Sequence, residues 1–236
     1  DEIIKDIVND LLSEPEIALF VAAMYRNGMS NKETIYLIKA ILKTGERFSV
    51  KDKFVVDKHS IGGVAGNRTT PIVVSICAAA GLKFPKTSSR AITSAAGTAD
   101  VMETIMKVGF PISELKKILK KTNAFIVWGG GMGTVPADSK IIKVERELKI
   151  DPKSQLLASI MSKKFAVGSK YILIDIPYGK TAKMPTRKKA KSLGRKFLQL
   201  GRYFHKKMRV VLTDGSQPIG NGVGPALELM DIIKIL

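Results

Sequence analysis

Apolar residues recur at helical spacing over the first 46 positions, and the rhythm then changes. Ile3, Ile4, Ile7, Val8, Leu11 and Leu12 predict a first short helix. Ser13-Glu14-Pro15 opens a second, with Ile17, Phe20, Val21 and Met24 on one face and Gly28 past its end. Ser30 and Glu33 have the spacing of a capping box for a third, which carries Ile35, Ile38, Ile41 and Leu42.

Beyond residue 49 short apolar runs alternate with helical patterns. Strands are predicted at 54–57, 124–128, 171–176 and 209–213, apolar on both faces as in a parallel sheet covered by helices. Helices are predicted at about 68–80, 97–107, 113–121, 152–166, 186–204 and 224–236. The expected fold is α/β: a small all-helical domain, 1–48 with 138–168 returning to it, beside a parallel or mixed α/β domain of 49–137 and 169–236. Ligands of such sheets sit at the carboxyl ends of the strands, where Lys58-His59-Ser60 and Asp214-Gly215 fall.

Composition narrows the function classes. Hydrophobic residues make up 45% of 236 positions, enough for a sizeable core. No run of about 18 apolar residues occurs, so no transmembrane helix and no membrane partner are expected. The one cysteine, Cys77, lies in an apolar run and reads as a core thiol in a reducing cytoplasm. Net charge is +18, which suits either nucleic acid or an anionic substrate. The basic peak at Arg187-Lys188-Lys189-Ala190-Lys191 and Arg195-Lys196 has the spacing of a solvated helix face. Aromatics are 6% and do not alternate with basic residues along the chain, so no nucleic-acid partner is expected. No Cys/His cluster suggests a metal, and no cofactor is expected.

Two stretches carry candidate chemistry. In the first, a strand signal ends in Lys58-His59-Ser60, followed by Gly62, Gly63 and Gly66 and then Asn67-Arg68-Thr69-Thr70. Glycines let backbone N–H groups approach a phosphate, and a helix N-terminus favours the anion. The spacing fits neither a dinucleotide fingerprint nor a P-loop. The second, residues 86–98, packs six hydroxyl side chains and Arg90 into thirteen positions before a helix. A polar loop with ordinary caps accounts for it equally simply.

Asp57-Lys58-His59-Ser60-x-Gly62-Gly63-Val64, Thr87-Ser88-x-Arg90, Gly97-Thr98-x-Asp100, Ser159-x-x-x-Lys163, Leu212-Thr213-Asp214-x-x-Gln217-Pro218-x-Gly220 and Gly224-Pro225-Ala226-Leu227-Glu228 together resemble the thymidine/pyrimidine nucleoside phosphorylase family. The Gly63–Thr69 stretch, Ser89–Ser94, Ile150-Asp151-Pro152-Lys153-Ser154-Gln155 and Ile176–Lys183 are most similar to its archaeal AMP phosphorylase branch. The resemblance implies a nucleoside phosphorylase or phosphoribosyltransferase-like fold and a pentosyltransferase reaction, AMP + phosphate giving adenine + ribose 1,5-bisphosphate. Phosphorolysis of thymidine or uridine is the alternative, and a nucleic-acid-binding domain a second one. CMP and UMP remain open as substrates.

Residue by residue, the resemblance implies substrate contacts at Gly63, Ser89, Arg90, Ala91, Ile92, Thr93, Ser94, Thr98, Ser159, Lys163 and Lys183. Inorganic phosphate would meet Lys58, Ser60, Thr70, Ser88 and Thr98. Asp151 matches a general acid, although an Asp-Pro pair before an apolar helix also reads as a cap. His59 matches a catalytic histidine, and Arg146 a base contact, with an Arg–Ser spacing two residues short of the family's. A homodimer through the helical domain is implied, with larger assemblies in a longer protein. The chain starts without Met and stops on an uncapped apolar helix, so it is expected to be a piece lacking an N-terminal domain and a C-terminal part.

Overall fold

A computed structural model describes residues 1–91 and 95–236, which fall into two compact units. Asp1–Ser49 and Met132–Gly168 form the first, Val50–Gly131 and Ser169–Leu236 the second.

The first unit is helical: α1 (Glu2–Val8), α2 (Glu14–Asn27), α3 (Asn31–Lys43), α7 (Pro136–Leu148) and α8 (Lys153–Ala166). The capping box expected at Ser30 forms, and a second forms at Ser13. The Ser13 and Ser30 backbone N–H groups donate to Glu16 (2.8 Å) and Glu33 (2.7 Å). Ile7, Val21, Ile38, Ile41 and Ile141 are fully buried in this core. Helix α7 is not among the segments read from the sequence. Pro136 starts it at its first position, where a missing N–H costs nothing, and Ile141 and Val144 give it a buried face.

The second unit is a parallel α/β layer. Strands β1 (Val56–Ser60), β4 (Tyr171–Tyr178) and β5 (Lys207–Asp214) lie in the order β1-β4-β5, and β2 (Phe84–Ser88) pairs with β3 (Ala124–Trp128). A bridge from Val55 to Lys83 joins the two groups, with Val56 N–H donating to the Lys83 carbonyl at 2.9 Å. The strands therefore run β3-β2-β1-β4-β5, all parallel, and their carboxyl ends share one edge. Helices α4 (Thr69–Ala79), α5 (Thr98–Glu103), α6 (Ile112–Thr122), α9 (Arg187–Tyr203) and α10 (Pro225–Ile233) belong to this unit.

Strand β2 corrects the reading of 86–98 as one polar loop. Phe84-Pro85-Lys86-Thr87-Ser88 hides a strand behind a proline, a lysine and two hydroxyls, yet its first four residues are buried. Cys77 packs half-buried beside Val74, Phe84 and Ile126, and burial pushes its thiol pKa up. Helix α9 presses on β5 through Gly194 and Gly201, where any side chain would collide with Val210 or Met208.

Helix α10 is held by a buried ion pair. Arg68 Nε lies 2.5 Å from Glu228 Oε2, and both side chains are almost fully buried. Its guanidinium also donates to the carbonyls of Asn67 (2.7 Å) and Ala96. Below them Leu229 and Ile232 pack on Ala96, Val101 and Ile72. Removing one partner of such a pair strands the other charge, so Arg68→Met should lower urea-unfolding stability by about 3–5 kcal/mol. Adding Glu228→Leu should restore most of it. A single-variant loss below about 1 kcal/mol would contradict this.

Candidate active site

Strand β1 runs on to Ser60, past the predicted end at 57, so Lys58 is its third of five residues, 4% exposed. Its ammonium donates to Thr69 Oγ1 (2.7 Å) and lies 3.4 Å from Asp175 Oδ2 on the neighbouring strand β4. Thr213 of β5 donates to the other Asp175 oxygen at 2.6 Å. Thr69 in turn donates to Asn67 Oδ1, whose amide donates to Ser60 Oγ, each at 3.2 Å. A chain of hydrogen bonds and one ion pair thus crosses three adjacent strands and returns through the start of α4.

The turn between β1 and α4 depends on glycine. Gly62, Gly63 and Gly66 have φ of +83°, +89° and +66°, which L side chains rarely adopt. A Cβ on Gly63 would strike the Lys183 backbone N, and one on Gly66 the Ile219 carbonyl. The Ile219 N–H donates to Ala65 O at 3.0 Å, which fixes the far side. Thr70 is buried in the first turn of α4, a turn that carries no acidic residue. A cation, hydroxyls and an uncompensated helix N-terminus around one glycine turn can hold a phosphate.

The second loop leaves the end of β2. The Ala91 and Gly97 N–H groups both donate to Asp100 Oδ2, at 2.7 and 2.8 Å. Gly97 has no room for a side chain against Ser89, Arg90 and Ala91. Burial alone would raise the Asp100 pKa, but the donors at Gly97, Ala91 and Arg90 outweigh it and hold it below the usual range. Arg90 binds Asp100 (3.0 Å) and grips both Glu103 oxygens (2.5 and 2.9 Å). Those bonds, to Glu103 above all, raise its pKa, and its guanidinium lies 5.0 Å over the Trp128 ring. Arg90 therefore braces the loop that carries Ser88, Ser89 and Thr98. The Thr87 hydroxyl is buried without a partner among the described residues. Ile92, Thr93 and Ser94 lie outside the described residues.

Lys58, His59, Ser60, Gly63, Thr70, Ser88, Ser89, Arg90, Ala91, Thr98 and Lys183 all belong to the second unit; Asp151, Ser159 and Lys163 belong to the first. Helix α8 is capped at Pro152, so Asp151 stands one residue before the cap position. On α8, Lys163 donates to Ser159 Oγ at 2.7 Å and lies 2.6 Å from the fully buried Asp138. Gln155 donates to the other Asp138 oxygen at 3.0 Å.

Asn67, Thr69 and Thr213 fell in motifs quoted from the sequence without a site role, and Asp138 and Asp175 were not singled out at all. Asp175 had a signal of its own, a lone acid inside the apolar run Ile172–Ile176. Asp138 had none, because its partner Lys163 is 25 positions away on another helix.

Residues 52–231 match the model of the glycosyl transferase family, a/b domain. An AMP phosphorylase of Pyrococcus furiosus is 50% identical over all 236 residues, which cover 47% of that protein. One of Methanococcus vannielii is 49% identical over 234 residues, 99% of this chain and 46% of that one. The chain spans about half the length of these curated relatives. Among solved structures, an anthranilate phosphoribosyltransferase from Saccharomyces cerevisiae, in complex with PRPP and Mg, shares the fold with a TM-score of 0.65 at 13% identity, covering 84% of this chain and 52% of that one.

The Asp100 carboxylate sets a pH dependence. Its folded-state pKa is depressed, so its stabilisation is present above the ordinary value of about 3.9 and is lost as pH falls through the folded value. Asp100→Asn should melt below the parent at pH 7, and the gap should close below about pH 4. A gap that does not change with pH would remove this account.

Proposed function

The chain belongs to the glycosyl transferase family through its a/b domain, and we propose that it catalyses phosphorolysis of a nucleoside 5′-monophosphate, AMP + phosphate giving adenine + ribose 1,5-bisphosphate. The observation that carries this is the glycine turn. Gly62 and Gly63 follow Lys58-His59-Ser60 after one residue, Ile61, and the Lys183 backbone packs against them. One turn thus connects two sets of anion-binding groups, and the reaction uses two phosphates.

In this reading inorganic phosphate meets Lys58, Ser60, Thr70, Ser88 and Thr98. An oxygen of that phosphate attacks C1′. The C1′–N9 bond breaks, and its electron pair leaves with the base. Asp151 supplies the proton the departing purine needs, as a carboxylic acid acting in general acid catalysis. His59 lies beside the attacking phosphate. Ser159 and Lys163 contact the base, and Gly63, Ser89, Ala91, Thr98 and Lys183 contact the nucleotide, with Arg90 holding their loop. The curated relatives named AMP phosphorylase support this substrate over thymidine.

A 5′-phosphate differs from a 5′-hydroxyl chiefly in charge. A cation about 4 Å from it contributes roughly 4 kcal/mol of gross attraction per unit charge at intermediate dielectric, before desolvation. The protein is taken to work in a reducing cytoplasm, in keeping with one half-buried cysteine. No helix among the described residues is long and apolar enough to cross a membrane. A homodimer through the helical unit is supported by Leu11, Leu19, Tyr25 and Tyr36, all exposed there.

Lys183→Ala should raise KM for AMP at least about tenfold while leaving phosphorolysis of adenosine nearly unchanged. Equal losses for both would remove the 5′-phosphate argument. Asp151→Asn should lower kcat about a hundredfold or more with little change in KM, and unchanged turnover would exclude it as proton donor.

A further inference from the structure

The amino ends of the strands form a second charged edge, opposite the glycine turn. Parallel pairing places Lys53-Phe54, Lys170-Tyr171 and Lys206-Lys207 at the starts of three neighbouring strands. The Val55 carbonyl accepts from Lys170 N–H (2.9 Å) and Tyr171 N–H (3.1 Å), and the Lys170 carbonyl accepts from Lys207 N–H (3.0 Å). The aromatic and basic residues that stand apart in the sequence therefore interleave. Phe54 and Tyr171 rings lie 5.9 Å apart. The Lys53 ammonium stands 5.1 Å over Phe54, and the Lys207 ammonium 5.1 Å over Tyr171.

Charge at this edge is one-sided. Lys51, Lys53, Lys170, Lys206 and Lys207 stand in the segments that open these strands, and the Asp52 carboxylate among them accepts from the Phe54 N–H at 3.0 Å. The Lys170 ammonium donates to the Asp52 backbone carbonyl, a neutral group. Burial, and after it the neighbouring Lys170, push the Lys206 pKa down. Helix α9 adds Arg202 and Tyr203 just before this edge, with Tyr203 and Phe204 rings edge-on at 5.1 Å. Phe54 and Tyr203 are 43% and 48% exposed.

We propose that this edge is a docking surface for single-stranded nucleic acid, its phosphates meeting Lys53, Lys170, Lys206 and Lys207 and its bases stacking on Phe54 and Tyr203. Partly exposed rings beside lysines offer a π-face to any base, and repulsion among the lysines is relieved by each phosphate that arrives. A row of exposed contacts favours a polymer, which sums many weak ones, over a small ligand that needs enclosure. Linear sequence hides this surface, because its residues come from three segments more than 30 positions apart.

Fluorescence anisotropy of a labelled twelve-residue oligouridylate tests it. At low salt the chain should bind with a Kd of roughly micromolar order. Lys53→Glu with Lys207→Glu should weaken binding at least about tenfold and flatten the log–log salt slope by about 1.4, two contacts at about 0.7 each. Phe54→Ala, at an exposed position, should weaken it about fivefold or more with the salt slope kept. Lys188→Glu with Lys191→Glu on α9 makes the same charge change elsewhere and should stay within about twofold. Absence of binding, an equal loss in the α9 control, or displacement of the strand by millimolar AMP and phosphate would overturn the proposal. So would uridine monophosphate binding as tightly as the strand.

Discussion

A lysine ammonium buried on a parallel strand organises the second unit. An isolated charge there would be prohibitively costly, so Lys58 is tied to Thr69 and placed beside Asp175. Asp175 needs Thr213, and Thr69 needs Asn67. Strands β1, β4 and β5 and the start of α4 are thereby held in one register around one cation. The same arrangement keeps that cation where a phosphate can reach hydroxyls and a helix N-terminus together.

Close backbone approach is the second constraint. Gly63, Gly66 and Gly97 stand where a Cβ would strike another segment's backbone. Each presses a functional loop on its support: the 61–66 turn on Lys183 and Ile219, the 89–97 loop on its own base. Arg68 and Glu228 do the same work with charge, joining α4, the 96–97 segment and α10. The first loop is thus built on contacts remote in sequence from the residues that would touch substrate.

That remoteness marks what could be read in advance. The second and third helices were legible because Ser13 and Ser30 announce them locally, and the glycine turn because three glycines after a strand have few other uses. Strand β2 was not legible, since Pro85 and Lys86 argue against a buried strand and only pairing with Phe125 and Ile126 overrides them. Arg90 was expected at the substrate from the family resemblance, and its place on Glu103 and Trp128 needs residues 13 and 38 positions away. The lysine-aromatic edge exists only once three strand starts align.

The sheet thus carries two oppositely placed basic edges, one recessed around Lys58 and one exposed around Phe54 and Tyr171. The central claim concerns the first: AMP is cleaved by phosphate with its own phosphate retained. The direct measurement is incubation with AMP and radiolabelled inorganic phosphate, followed by separation of the products. The account predicts adenine in equal amount with a ribose bisphosphate labelled only at its C1 phosphate. Unlabelled ribose 5-phosphate beside adenine would mean water is the nucleophile, and would contradict it.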